Sequence, residues 1–104
     1  MEENIEFTIL LDTYEKLLTE TQAKILRMRF DEDLSLGEIG EICSVSRQAA
    51  RDAIIKGEQK LMFYENALRI VSKERKILQI AQELEQNENC SEYGKMLKNV
   101  MEEQ

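Results

Sequence analysis

Two helix-start signals, one at Ser35 and one at Ser46, constrain this chain more than anything else in it. Ser35 can cap the free amides of a first helical turn, and Glu38 stands three residues on, as a capping box requires. Leu34 and Ile39 have the spacing of a hydrophobic staple around that cap. Leu36, Ile39 and Gly40 then fall on one helical face. A glycine is costly inside a helix, so Gly40 predicts close approach of another helix. The second start, at Ser46 after Val45, leaves Ile42-Cys43-Ser44 as the turn between the two helices. Two capped helices joined by so short a turn are a helix-turn-helix, here spanning residues 35–61. In the second helix Ala50, Ala53 and Ile54 face inward. Arg47, Gln48, Arg51 and Asp52 face outward near its N-terminus, where a recognition helix carries its base-reading side chains.

The flanking sequence is helical as well. Residues 5–18 carry apolar side chains at Ile5, Ile9, Leu10, Tyr14, Leu17 and Leu18, with Phe7 and Leu11 widening the face; this predicts a core helix. Thr19 with Gln22 repeats the capping-box spacing, so a second helix starts there and uses Ile25, Leu26, Met28 and Phe30 as its apolar contacts. Lys24, Arg27 and Arg29 read as a solvated face, with supporting contacts to phosphates as the lesser alternative. Asp31-Glu32-Asp33 ends this helix, and with no histidine or calcium-loop pattern the three acids predict no metal site.

Beyond Ile54 the periodicity does not stop. Ile54, Gly57, Leu61, Tyr64, Leu68, Val71, Arg75 and Leu78 alternate spacings of three and four, a heptad seam imperfect at Gly57 and Arg75. Either the recognition helix runs on as a long arm, or Ser72 caps a separate helix from Lys73. Ile77, Ile80, Ala81 and Leu84 make an amphipathic helix to about Gln86, and Ser91 is placed to cap a last one with Met96, Leu97, Val100 and Met101 inside. The expected organisation is a helix-turn-helix domain over 1–71 and C-terminal amphipathic helices over 72–104. Those helices have little to pack against in one small domain. A symmetric homodimer through Leu61, Tyr64, Leu68, Val71 and Leu78 is the expectation, against the simpler alternative that they fold back on their own domain.

Composition narrows the class. There is no proline and there are only four glycines, while 42% of the 104 residues are apolar and 34% charged: a globular, all-α chain. Nothing resembles a signal peptide or a membrane span, so membrane insertion is not expected and the cytoplasm is. Cys43 and Cys90 form no CxxC pair and read as reduced structural thiols. No histidine, phosphate-cradling glycine loop or nucleophile with a base is present, so no enzyme activity, catalytic residue, cofactor or metal is expected.

The motifs themselves carry a family likeness. "ILRMRF" followed by "LSLGEIGEICSVSRQAARDAI" resembles the promoter-reading C-terminal domain of bacterial sigma factors, known as region 4. The whole chain is more similar to a family of small sigma-like proteins, the YlxM family, through "LLTETQ", "LSLGEI" and "VSRQA". The resemblance covers roughly Thr8 to Glu74. It implies an all-α, sigma-region-4-like helix-turn-helix with extra C-terminal helices, and a regulatory role in the signal recognition particle pathway. At positions matching the sigma reading helix, Arg47 and Arg51 keep the sigma type. Gln48 replaces an acid, Ala49 a basic residue, and Asp52 a neutral amide. The YlxM family usually carries an aromatic residue where this chain has Arg51.

Two classes of function follow. In the first, Ser46, Arg47, Gln48, Arg51 and Lys56 bind duplex DNA or signal recognition particle RNA. Arginine pairs with guanine and glutamine with adenine through two hydrogen bonds each, and Ser46 at a helix N-terminus suits a phosphate. In the second, the helix-turn-helix is a scaffold, and the acidic face (Asp31 to Asp33, Glu38, Glu41) or the C-terminal helices bind a protein of the signal recognition particle machinery. Charge bears on both. The net −7 opposes nucleic acid, yet residues 46–76 hold eight bases against four acids, beginning at the recognition helix. Phe63 and Tyr64, the aromatics nearest this basic block, fall by the apolar seam, which makes direct RNA base reading the weaker branch.

Overall fold

The computed structural model describes residues 6–103, and Ile5 therefore lies outside the described part of the first helix. Among the described residues there are six α-helices and no strand: α1 Phe7–Tyr14, α2 Glu20–Phe30, α3 Leu36–Cys43, α4 Arg47–Leu68, α5 Ile70–Glu85 and α6 Ser91–Glu102. A single 3₁₀ turn, Glu15–Leu17, follows α1. Two compact units are formed, divided after Leu68 rather than after Val71.

The first unit is built where local chemistry dictates. Both capping boxes are present: Gln22 N–H donates to Thr19 Oγ1 at 3.1 Å, and Glu38 N–H to Ser35 Oγ at 3.1 Å, with each partner's backbone amide bonded in return. Leu10, Leu11 and Tyr14 from α1, Leu26 from α2, Ile39 from α3 and Ala50 and Leu61 from α4 are sealed almost completely from solvent. Phe7 stacks on Phe30 with centroids 5.5 Å apart, tying the start of α1 to the end of α2. A buried polar contact joins α1 to α4: the Tyr14 hydroxyl donates to Glu65 Oε1 at 2.5 Å, and Glu65 is only 1% exposed.

Gly57 explains how α2 and α4 meet. A Cβ there would fall 2.8 and 2.9 Å from the two methyl carbons of Leu26, so the glycine is the floor on which Leu26 rests. Its place in the heptad seam is thus an intramolecular crossing point. Ile54, Gly57 and Leu61 all face the first unit's own core, and Leu61 is wholly buried, so it is not offered to a second subunit. The continuous arm is also absent. Arg69 takes the left-handed conformation (φ 57°, ψ 30°) and separates α4 from α5, leaving Ser72 inside α5 and not at a cap. Val71 is buried within the chain, Tyr64 is half-buried, and Leu68 and Leu78 are exposed.

The second unit is an antiparallel hairpin of α5 and α6. The loop over 86–90 is too short to run the length of α5, so α6 must fold back along it. Gly94 permits this: a Cβ on it would run into the Ala81 carbonyl and the Glu85 backbone. Lys98 Nζ bonds Glu85 Oε2 at 3.1 Å across the pair. Cys90, not Ser91, is the residue before α6, and it makes no side-chain cap.

Candidate nucleic-acid interface

The turn of the helix-turn-helix lies two residues later than its sequence signals imply. α3 continues through Ile42 and Cys43, and Ser44 ends it in the left-handed region (φ 58°, ψ 41°). The Val45 amide then donates back to the Gly40 carbonyl at 2.8 Å. Gly40 is needed for this turn and not for another helix's flank. A Cβ on it would stand 2.8 Å from the Val45 carbonyl oxygen and 3.4 Å from the Arg47 amide. The glycine therefore fixes where α4 starts.

Ser46 caps α4, its hydroxyl oxygen accepting the Ala49 amide at 3.0 Å. The hydroxyl hydrogen remains to donate outward, as a phosphate contact needs. Arg47, Gln48 and Arg51 are all exposed, while Ala50 and Ile54 on the opposite side are buried. The three polar side chains and Leu36 line one open depression of about 400 Å³. Gln48 is held by its neighbour, its amide nitrogen donating to Asp52 Oδ1 at 3.0 Å. Asp52 thus sets the direction of the Gln48 amide besides opposing phosphate with its charge.

Lys56 does not join this group. It lines a different depression, of about 330 Å³, with Gln22, Gln59, Lys60 and Phe63. Lys60 Nζ donates to Gln22 Oε1 at 3.3 Å. Phe63 does not fall by the seam, contrary to the sequence expectation: it is 67% exposed and forms part of this second depression. Tyr64 does turn inward, its hydroxyl donating to the Leu17 carbonyl at 3.1 Å. The helix period alone could have separated the two, because Phe63 stands two residues past the buried Leu61, about 200° around α4.

Of the basic residues on α2, two are structural. Arg27 donates to Asp12, Glu15 and Asp31, and these bonds, Glu15's foremost, raise its already high pKa. Arg29 donates to the Leu34 carbonyl at 3.0 Å and so holds the loop leading into α3. Neither is a loose solvated cation, and only Lys24 stays exposed. Asp31 to Asp33 are likewise exposed, with Asp31 drawn to Arg27. On α3, Glu38 accepts the Ser35 amide, and this bond lowers its carboxyl pKa, so an acid stands ionised at the α3 N-terminus. The outer surface of the motif is therefore cationic at α4 and anionic at α3. No described helix is long and apolar enough to cross a membrane.

Comparison with known proteins agrees with this architecture. Residues 1–100 match the UPF0122 family, described as "Putative helix-turn-helix protein, YlxM / p13 like". A UPF0122 protein of Clostridium botulinum is 36% identical over 96 residues, covering 88% of each chain. One of Clostridium novyi is 37% identical over 94 residues, covering 90% of this chain and 82% of its own. One of Caldanaerobacter subterraneus is 43% identical over 79 residues, covering 75% and 68% respectively. This is a helix-turn-helix family. The chain belongs to the UPF0122 family of YlxM/p13-like helix-turn-helix proteins.

Proposed function

We propose that this protein is a cytoplasmic regulator that binds duplex nucleic acid through the N-terminal turns of α4. The observation that carries this is the depression at Arg47, Gln48 and Arg51, open to solvent at the start of the helix that follows the turn. Arg47 and Arg51 stand one turn apart, about 6 Å along the axis, and both are free of ion pairs among the described residues. That geometry suits two guanine edges or two phosphates in one groove. Gln48, fixed by Asp52, is the candidate for adenine. The ionised Glu38 on α3 weakens non-specific attraction to phosphate, so affinity depends on the few groove contacts. Charge reversal tests the assignment: Arg47→Glu with Arg51→Glu abolishes binding while the helical circular dichroism stays unchanged. Binding retained by a folded double variant makes the motif a scaffold. The signal recognition particle pathway, implied by the family likeness, supplies the second ligand for that assay, the particle's RNA.

The protein acts as a dimer through the second unit. On α5, Ile77, Ile80 and Leu84 have spacings of three and four; on α6, Tyr93, Met96 and Val100 have the same. All but Leu84 are exposed. Starting from the line where Ala81 meets Gly94, helical geometry puts both stripes on one flank of the hairpin. The occupant that fits is a second copy. Lys73 and Lys76 flank the first half of the α5 stripe and Glu83 the second, so antiparallel apposition of two copies sets the basic half of each stripe towards the acidic half of the other.

A further inference from the structure

The second depression on α4 has a composition that a duplex site does not require. Phe63 exposes two thirds of its surface, so much of its ring is open to a ligand. Around it stand Lys56, Lys60, Gln22 and Gln59, and none of the five lining residues is acidic, in a chain of net charge −7. The side chains of Lys56 and Gln59 make no hydrogen bond or ion pair among the described residues. Gln22 commits its amide oxygen to Thr19 and Lys60, leaving its amide hydrogens as donors. Aromatic face, paired ammonium groups and two amides together match one kind of ligand. A nucleobase stacks on a ring, its phosphates attract lysines, and amides bond its edge.

We propose that Phe63, Lys56, Lys60, Gln22 and Gln59 form a subsite for an unpaired nucleotide of a nucleic-acid strand. The base must be unpaired, because stacking on a side chain requires a free face that a duplex keeps against its neighbours. Phe63 lies twelve residues beyond Arg51, about 18 Å along α4 and about a third of a turn around it. A duplex end held at Arg47 and Arg51 would thus send a short single-stranded extension along the same helix to Phe63. Its position relative to a duplex rests on the function proposed above; the subsite's own chemistry does not. The preferred ligand is then a duplex with an unpaired tail or loop, and not a plain duplex.

Fluorescence anisotropy tests this with three probes: a blunt duplex, the same duplex with a short unpaired tail, and the tail alone, with adenosine monophosphate as a competitor. The tail should tighten binding by roughly tenfold, the scale of one stacked base. Phe63→Ala should remove that gain and leave blunt-duplex binding unchanged. Phe63→Trp should restore it, and Lys56→Gln with Lys60→Gln should reduce it. Because Phe63 is exposed, folding survives the change, which circular dichroism verifies. Equal affinity of the native protein for blunt and tailed duplexes overturns the subsite and leaves the duplex function standing. Phe63-dependent binding of the tail without binding of the blunt duplex supports the subsite and overturns the duplex function. Adenosine monophosphate binding as tightly as the tail overturns the assignment to a strand.

Discussion

Replacing Gly57 by alanine sets two well-measured effects against each other. In an exposed helix, glycine to alanine stabilises by about 1 kcal/mol, because glycine loses more backbone entropy on folding. In this chain the added methyl would lie 2.8, 2.9 and 3.0 Å from Leu26 Cδ1, Cδ2 and Cγ. Leu26 is fully buried, so its whole fork would have to move within the core. Overpacking of this kind costs about 1–3 kcal/mol. Contact with three atoms of a locked side chain puts the cost in the upper half of that range, and the net result is a destabilisation of about 1–2 kcal/mol. Urea unfolding followed by circular dichroism measures it. Two controls isolate the cause. Gly37→Ala, whose nearest such neighbour is 3.9 Å away, should stabilise by up to about 1 kcal/mol. In a Leu26→Ala background, itself costing about 2–5 kcal/mol, Gly57→Ala should turn stabilising. A Gly57→Ala variant that is more stable than the native protein would refute the packing of α2 on α4, and with it the placement of α4.

Further outcomes follow from other contacts. Ile80→Glu puts a charge in the middle of the exposed hairpin stripe and should shift the protein from dimer to monomer in light scattering without loss of helix; an unchanged mass rules out that face. Tyr14→Phe removes the hydroxyl that bonds buried Glu65 and should cost about 1–3 kcal/mol in the same urea assay. Glu38 has a lowered pKa in the folded chain, so its contribution to the α3 cap is complete above the ordinary carboxylate value of 4.5 and disappears as pH falls through the lower folded value. The protection factor of the Ser35 amide should therefore fall in that acid window, and Glu38→Gln should flatten its pH dependence.

The parts legible in sequence were those governed by neighbours along the chain. Thr19 with Gln22 and Ser35 with Glu38 satisfy each other within one helical turn, so their spacing was sufficient to locate two helix starts. Of the inward set Ala50, Ala53 and Ile54, which followed from the helix period in the same way, Ala50 and Ile54 are buried and Ala53 is half-buried. What failed depended on backbone conformation or on partner identity. Ser44 and Arg69 both take left-handed angles without the glycine that usually announces them, which displaced the turn and hid the break after Leu68. The heptad spacing of Ile54, Gly57 and Leu61 was real, but periodicity does not say whether the facing surface is one's own α2 or another subunit. Arg27 read as surface charge because its acids lie on α1, the 3₁₀ turn and the end of α2, brought together only by folding. At the candidate interface, Arg47, Gln48 and Arg51 share one depression, whereas Lys56 was grouped with them by sequence proximity and belongs with Phe63.

The measurement that bears most directly on the central claim is an anisotropy titration of the native protein. Random duplex DNA and signal recognition particle RNA would each be compared at low and physiological salt. The account predicts binding to at least one of them, weakening with added salt by the few phosphates that so small a cationic surface can neutralise. No binding to either at low salt, by a protein shown to be folded, would contradict it and leave α4 as a scaffold for protein contacts.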